Sequence, residues 1–285
     1  MIWQTSRRTF DFSKRGQIMG VLNVTPDSFS DGGLWIDTEA AVAHALAMAR
    51  DGAEIIDVGG ESTRPGAEPV SEAEELKRVL PVIDQLRATA GFAAAISIDT
   101  MKPRVAWAAA EAGAEIINDV TGLRSEEMRA VVRETKAAAV IMHMRGEPRT
   151  MQAAPAYEDV RREIREIFRQ RFCACLSSAI EPMRLAFDPG IGFGKTVEHN
   201  LTLLREIESL RIEDRPLVVG VSRKSFIGKI LNEAGAGVEA RAWPTVALTS
   251  FLRARGANVL RVHEVRPNHD ALRMTEAMMP GDFTP

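Results

Sequence analysis

The chain has 285 residues, 45% of them hydrophobic and 26% charged, which supplies one large core and sits close to the roughly 250 residues of a single (β/α)8 barrel. A formal net charge of −3 gives no basic surface for nucleic acid or an anionic membrane. No run of 18 apolar residues predicts a membrane helix, and the opening MIWQTSRRTFDFSKRGQIMG lacks the apolar centre and small-residue cleavage site of a secretory leader.

Taken in order, apolar runs and helical patterns alternate. Thr9–Ser13 is a short segment expected to cap a barrel floor. Ile18–Leu22 is a continuous apolar run of the kind buried parallel strands show, and it ends on Asn23. A loop over Thr25–Leu34 leads to an alanine-rich helix, Asp37–Arg50, capped by Asp37 or Thr38 and stopped at Asp51-Gly52. Glu54–Val58 runs into Gly59-Gly60-Glu61-Ser62-Thr63-Arg64, the start of a second loop reaching Val70. Ser71–Ala88 opens S-E-A-E, a capping box. Ala94–Ile98 ends on Asp99, and Lys102–Ala112 follows with Pro103 inside its start and Gly113 past its end.

The second half repeats the pattern. Glu115–Ile117 precedes Asn118-Asp119 and the helix Ser125–Thr135. Ala138–Met142 ends on His143, with a third loop, Met144–Pro155, before the helix Tyr157–Ala179. Arg184–Phe187 ends on Asp188, with a helix over Val197–Leu210. Leu217–Val221 precedes Ser222-Arg223-Lys224 and the helix Lys224–Asn232, after which Gly235-Ala236-Gly237 reads as a flexible connection. Ala242–Arg255, then Asn258–Leu260 before Arg261-Val262-His263, then His269–Met279 close the series. The segments around residues 51–57 and 112–119 share the wording G-A-E-I-I, a weak internal repeat of the βα unit.

Strand–helix alternation in this register predicts a parallel sheet with right-handed crossovers. Eight strands favour closure over an open doubly wound sheet. The expected architecture is therefore one α/β domain over residues 1–285, a single (β/α)8 TIM barrel with its active site at the C-terminal ends of the strands. The loops over about 24–34 and 60–70 are the expected mobile lids. Cys173 and Cys175 stand two apart in a helical stretch, about 200° around the axis, so neither a shared metal nor a mutual disulfide is expected. Reduced thiols and a cytoplasmic location are the default.

The strand tips carry the chemistry. Asp188-Pro189-Gly190-Ile191-Gly192-Phe193-Gly194-Lys195-Thr196 is not a Walker loop, because Gly190 stands too close to Gly194, and it does not fit the dinucleotide fingerprint. Close backbone approach to a flat ligand, with Phe193 as an apolar face, is the functional reading; a plain βα turn is the alternative. Asp99 and Asp188 each end a buried strand, where an unpartnered carboxylate is costly. Facing one cavity, they suit a heterocycle with a guanidine-like edge, and Asn118 adds a donor and an acceptor. Either alone could be a cap or an ion pair. A glycosidase pair is disfavoured by the 6% aromatic content.

Arg64, Arg223, Lys224, Arg261 and His263 follow different strands and together make an anion site, with Arg matched to phosphate oxygens. Thr63 and Asn23 add oxygen groups suited to phosphate or to Mg²⁺. Of the five histidines, His44 and His199 are read as surface groups, and His143 as a packed residue or a ligand. No spacing suggests zinc, and no Ser-His-Asp arrangement is legible.

These residues carry a resemblance. The segments M-G-V-L-N-V-T-P-D-S-F-S-D-G-G at 19–33, G-A-E-I-I-D-V-G-G-E-S-T-R-P-G-A at 52–67, S-I-D-T at 97–100 and A-G-A-E-I-I-N-D-V at 112–120 resemble the dihydropteroate synthase family of pterin-binding barrels. H-M-R-G-E-P-R-T-M-Q at 143–152, D-P-G-I-G-F-G-K-T at 188–196, S-R-K-S-F-I-G at 222–228 and R-V-H at 261–263 continue it in the family's order. The resemblance implies transfer of a pterinylmethyl group to 4-aminobenzoate, giving 7,8-dihydropteroate and diphosphate. It implies that Asp99, Asn118, Asp188 and Lys224 hold the pterin, with Met142, Gly192 and Phe193 lining the slot. Asn23, Thr63, Arg261 and His263 would bind the diphosphate, Asn23 through Mg²⁺. Phe29, Asp31, Arg64 and Pro65 from the two loops, with Ser222 and Lys224, would form the aminobenzoate site. Lys224, Asp31, Arg261 and His263 would be catalytic, in a dissociative reaction whose pterin cation Asp31 stabilises. Sulfonamide inhibition and a homodimer are further implications of the family.

Three details depart from the family pattern: Arg145 and Glu147 where Gln and Thr are common, Glu264 in place of Asp, and W-P-T-V-A at 243–247. A methyltransferase of the same superfamily would lack the T-P-D-S-F, E-S-T-R-P-G and S-R-K segments present here. A non-catalytic pterin-binding barrel would be expected to have lost Lys224, Arg261, His263 or Asn23.

Overall fold

Side chains of a strand alternate between its two faces, and the computed structural model of the chain shows how the apolar runs use that alternation. The structure describes residues 1–13, 15–25, 33–62, 68–146, 151, 155–231 and 238–279, with the side chains of 33–37 and 238 left aside. The strands β3 (Gln17–Asn23), β4 (Ile55–Gly59), β5 (Ala95–Asp99), β6 (Ile116–Asp119), β7 (Ala138–Met142), β8 (Leu185–Asp188), β9 (Val218–Gly220) and β10 (Val259–Val262) form one eight-stranded parallel sheet. Its order is β8-β7-β6-β5-β4-β3-β10-β9, and a parallel bridge between Phe187 and Leu217 joins the ends. The sheet is a barrel, as expected.

Outward side chains such as Leu22, Ile56, Ile98, Ile141 and Leu260 pack under the surrounding helices. Inward side chains change character with height. Met19, Ile55, Ala95, Ile116, Ala138, Val140, Ala186, Val218 and Val259 form an apolar plug in the lower barrel. Beneath it lies an antiparallel hairpin, β1 (Ile2–Gln4) and β2 (Thr9–Asp11), whose Trp3 and Phe10 join Phe12 in closing the floor. Trp3 is fully buried and donates its indole N–H to the Arg184 carbonyl at 2.9 Å. Burying a ring of that size stabilises by on the order of 4 kcal/mol.

Above the plug the inward positions are polar. Several of the groups expected just beyond the strands are their last rungs: Asn23 pairs with Gly59, Gly59 with Asp99, Asp99 with Asn118, and Met142 with Asp188. Ladder bonds therefore hold the backbone of the site residues, and the pleat aims their side chains inward.

The surrounding helices among the described residues are α1 (Gly33–Arg50), α2 (Glu72–Ala88), α3 (Pro103–Ala112), α4 (Glu126–Thr135), α5 (Val160–Ser177), α6 (Val197–Arg205), α7 (Ser225–Ile230), α8 (Ala242–Ala254) and α9 (Val265–Met278). Ser71 and Ser125 cap α2 and α4, accepting from the Glu74 and Met128 amides at 3.2 and 3.0 Å. Some ends differ from expectation. α1 begins at Gly33 rather than Asp37, which shortens the first lid. α5 begins at Val160 rather than Tyr157 because Asp159 caps it, accepting from Arg161 and Arg162. α9 begins at Val265 rather than His269; Pro267 is tolerated because first-turn N–H groups have no helical partner. Residues 26–32, 63–67, 147–150, 152–154 and 232–237 lie outside the described residues, and with them most of the two lids and Gly235-Ala236-Gly237. None of the described helices is long and apolar enough to cross a membrane.

Candidate active site

One cavity at the C-terminal mouth is lined by Asp99, Asn118, Val120, Met142, Asp188, Gly190, Ile191, Phe193, Gly220, Lys224 and Arg261. Six of the seven residues predicted for the pterin are in that lining, and the seventh, Gly192, lies against the Lys224 side chain. A larger cavity, about 530 Å³, opens at the other end of the barrel near Arg8, Arg50, Glu54 and Phe92. It has no comparable set of convergent carboxylates. Chemistry, not size, selects the mouth.

At the centre is an ion network that sequence reasoning only partly foresaw. Arg261 Nε donates to Asp57 Oδ2 at 2.6 Å and its Nη2 to Asp99 Oδ2 at 2.7 Å. Asn118 Nδ2 also donates to Asp57 Oδ2, at 3.0 Å. Asp57 was missed because it lies inside an apolar run rather than at its tip; an acidic residue interrupting a buried parallel strand was the available signal. Asp57 Oδ1, Asp99 Oδ1 and Ser97 Oγ are buried with no hydrogen-bond partner among the described residues. Such orphaned acceptors are costly unless a ligand's donors complete them.

The electrostatics follow from this crowding. Burial pushes Asp99 up to about 7; Arg261 opposes the rise, while Asp57 and the more distant Glu75 and Asp119 reinforce it. Burial also raises Asp188, to about 6, against the Gly190 amide, which donates to its Oδ1 at 2.7 Å, and against Lys224 and Arg261. Burial alone would lower Arg261, but Asp57 and Asp99 outweigh it and hold the guanidinium charged.

The remaining walls come from β9 and β10. Lys224 stands at the residue before α7, and its ammonium lies 3.9 Å from the centre of the Phe193 ring, a cation–π contact that fixes the flat face. Ser222 Oγ is 3.0 Å from His263 Nδ1 and accepts from the His263 amide at 3.3 Å. Arg223, between Ser222 and Lys224, holds a left-handed backbone (φ 62°) and pairs through Nε with Glu264 Oε1 at 2.8 Å. The Glu264 departure thus ties the two strand tips together. Asn23 is half-buried at the end of β3. Phe29, Asp31, Thr63, Arg64 and Pro65 lie outside the described residues. The neck of the second loop is described: Glu61 Oε1 accepts from Val70 N at 3.3 Å, and Lys102 pairs with Glu61 at 2.5 Å and with the buried Glu75.

His143 is packed and buried, its Nδ1 3.0 Å from Lys195 Nζ. Burial, reinforced by Lys195 and Arg145, lowers it to about 2, so it stays neutral. His199 is not a plain surface group: its Nδ1 accepts from Thr196 N at 3.2 Å in the cap of α6, and its ring meets Tyr157 edge-on at 4.9 Å. Cys173 is exposed and Cys175 buried, and both are free.

The family described as Pterin binding enzyme matches residues 19–263. The chain is a member of that family. Within the pterin-binding enzymes, it is 44% identical over 270 residues to a dihydropteroate synthase of Synechocystis, covering 94% of this chain and 92% of the relative. It superposes on a Yersinia pestis dihydropteroate synthase solved with a sulfonamide drug complex at a TM-score of 0.89, with 41% identity, covering 97% of this chain and 98% of that one. A Xanthomonas albilineans dihydropteroate synthase in complex with 7,8-dihydropteroate gives a TM-score of 0.88 at 38% identity, covering 99% and 100%.

Proposed function

We propose that the chain joins 4-aminobenzoate to (7,8-dihydropterin-6-yl)methyl diphosphate, forming 7,8-dihydropteroate and releasing diphosphate, the condensation that its relatives' name describes. The observation that carries the reading is the pairing of Asp99 and Asp188 beside Asn118 in one cavity walled by Phe193 and Lys224. As carboxylates the two acids accept N–H donors from an amino-pyrimidine edge, and Asn118 supplies the neutral partner. Phe193, Met142 and Gly192 bracket the flat ring.

Arg261, His263 and Asn23, with Thr63 by the family resemblance, are assigned to the diphosphate; in support, Arg261 and His263 stand at the tip of β10 and Asn23 at that of its neighbour β3. Cationic and hydrogen-bonding groups aimed at a departing anion lower the barrier to its leaving. The carbocation left on the pterin methylene is then attacked by the weakly basic aryl amine; the family resemblance assigns Asp31 to stabilising that charge, and Phe29, Arg64 and Pro65, with Ser222 and Lys224, to holding the aminobenzoate. Water exclusion by the two loops protects the cation. Asn23 fits a Mg²⁺ ligand. Its amide oxygen is a hard donor, and no group of three or more acidic, His or Cys side chains suited to a metal occurs among the described residues, so most other ligands would be diphosphate and water oxygens. Bound there, the ion would neutralise leaving-group charge.

Sulfonamides, present in the Yersinia pestis complex, are expected to compete for the aminobenzoate position. The exposed Trp243 and Phe251 of α8 and Met274 and Met278 of α9 are apolar groups that a homodimer would cover. A cytoplasmic location agrees with two free thiols. The deciding experiment measures diphosphate release with Mg²⁺, with and without 4-aminobenzoate. Aminobenzoate-dependent dihydropteroate formation, competed by a sulfonamide and reduced at least a hundredfold in Lys224→Ala, is the expected result. Pterin binding without turnover would point instead to the methyltransferase-like or non-catalytic barrel.

A further inference from the structure

Lys195 takes no part in the chemistry above, yet its side chain is buried inside the loop that follows β8. Its ammonium donates to the Gly190 and Phe193 carbonyls, both at 2.9 Å, and lies 3.0 Å from His143 Nδ1 and 3.4 Å from the His143 carbonyl. All of these acceptors are neutral, and no ion pair is formed with a carboxylate among the described residues. A buried cation of that kind is expensive.

The backbone around it is shaped for the purpose. Gly190 and Gly194 have φ of 63° and 62°, and a Cβ on either would meet a carbonyl, His143 O at 1.9 Å or Arg145 O at 2.4 Å. Only glycine permits this wrap, which turns the Gly190 and Phe193 carbonyls inward to the ammonium. The outer edge of the same turn carries Gly192 and the Phe193 ring that meets Lys224 at 3.9 Å. Tyr157 Oη anchors the far side by donating to the Gly194 carbonyl at 3.0 Å.

We infer that Lys195 is a positioning residue for the pterin slot: its ammonium gathers residues 190–194 and so sets Gly192 and Phe193 against the ring. The inference rests on the pterin reading of the cavity. Geometry also makes the device sensitive to protonation. The charged groups facing Lys195 are Asp188 at the tip of β8, Lys224 at the head of α7 and Arg145 after β7; His143 after β7 and His199 on α6 are its titratable neighbours. Burial pushes Lys195 down to about 7, with Lys224 and Arg145 acting in the same direction and Asp188 against them. Below that pH three N–H groups serve the two carbonyls and the His143 ring nitrogen. Above it two remain and the charge assistance, which makes such bonds roughly twice as strong, is lost.

The test compares wild type with Lys195→Met and Lys195→Arg, measuring KM for the pterin diphosphate and for 4-aminobenzoate separately from pH 7 to 9, with Tm as a control. Expected is a rise of about tenfold in the pterin KM of Lys195→Met, equivalent to losing one good hydrogen bond. The aminobenzoate KM should stay within about twofold, since the altered loop lines only the pterin slot. The wild-type pterin KM should climb through this pH range, that of Lys195→Met should show no climb, and Lys195→Arg should bind well without the climb. A wild-type KM and pH profile in Lys195→Met overturns the inference, as does an equal rise in both KM values with a lower Tm. Should neither variant fold, ¹³C-lysine NMR of wild type decides: a pterin lacking the diphosphate should raise the Lys195 titration midpoint, and an unmoved midpoint overturns the inference. Failure of wild type to bind any pterin would instead remove the underlying reading of the cavity.

Discussion

The two ends of the barrel both bury carboxylates against arginines, and they differ in how completely those carboxylates are satisfied. At the floor, Glu115 is fully buried and both of its oxygens are filled. Oε1 accepts from Arg8 at 2.8 Å and Arg87 at 2.7 Å, and Oε2 from Thr5 at 3.0 Å and Arg8 Nε at 2.8 Å. At the mouth, Asp57 and Asp99 share Arg261, and each keeps one buried oxygen without a partner among the described residues. The floor network is complete in the folded chain and acts as a staple. The mouth network leaves acceptors open, which under the proposed function a ligand's donors complete. Saturation therefore separates buried charge that serves stability from buried charge that serves binding.

Asp99→Asn tests the mouth most severely. Removing a carboxylate that accepts a ligand's donors costs ~3–5 kcal/mol, or roughly two to four orders of magnitude in kcat/KM for the pterin diphosphate. Its effect on stability should run the other way. A carboxylate whose folded pKa is raised binds more protons folded than unfolded, so the folded state loses stability as pH rises from about 4 to about 7. The Asn variant avoids that loss, and its Tm at pH 8 should equal or exceed wild type; a clear fall in Tm with activity retained would make Asp99 a structural residue.

A smaller effect is expected from pH alone. Because the anions of Asp99 and Asp188 are the far stronger acceptors, pterin affinity should fall as pH drops through about 7 and then about 6, each acid contributing up to tenfold per pH unit below its own value. Calorimetric titration of a pterin between pH 5 and 8 checks it, and flat affinity across that range would mean both acids bind in one protonation state.

The smallest effect on catalysis, and the sharpest contrast, belongs to Glu115→Gln. Leaving Arg87 and Arg8 without their anion should cost roughly 3 kcal/mol of stability, seen as a lower Tm or denaturation midpoint. Kinetic constants of the folded fraction should stay within about twofold, since the floor touches no substrate. Comparable losses in kcat would show that floor and mouth are coupled.

Much of the mouth was legible in the sequence because its polar residues terminate apolar runs: Asn23, Asp99, Asn118 and Asp188 all stand at strand ends, inside the strands rather than just past them. The specific segments shared with the family carried the rest of that reading. Asp57 escaped because period-two alternation cannot be seen inside a strand buried on both faces, where apolar residues occupy inward and outward positions alike. The Lys195–His143 and Arg8–Glu115 contacts escaped for a different reason. They join residues 52 and 107 positions apart, and no local pattern encodes a pairing at that distance. The start of α9 shifted because Pro267 is tolerated in a first turn, where the sequence pattern reads a loop.

The barrel's closure bears on how the site behaves. β8 and β9 are joined by a single bridge, Phe187 to Leu217, whereas each other neighbouring pair of barrel strands shares three or more rungs. Asp188 stands at the end of one side of that join, and Lys224 follows the other. A ring held between them spans the thinnest weld in the cylinder, so the substrate itself becomes a clasp, and backbone amides along β8 and β9 should gain more protection from exchange on pterin binding than those of any other strand pair.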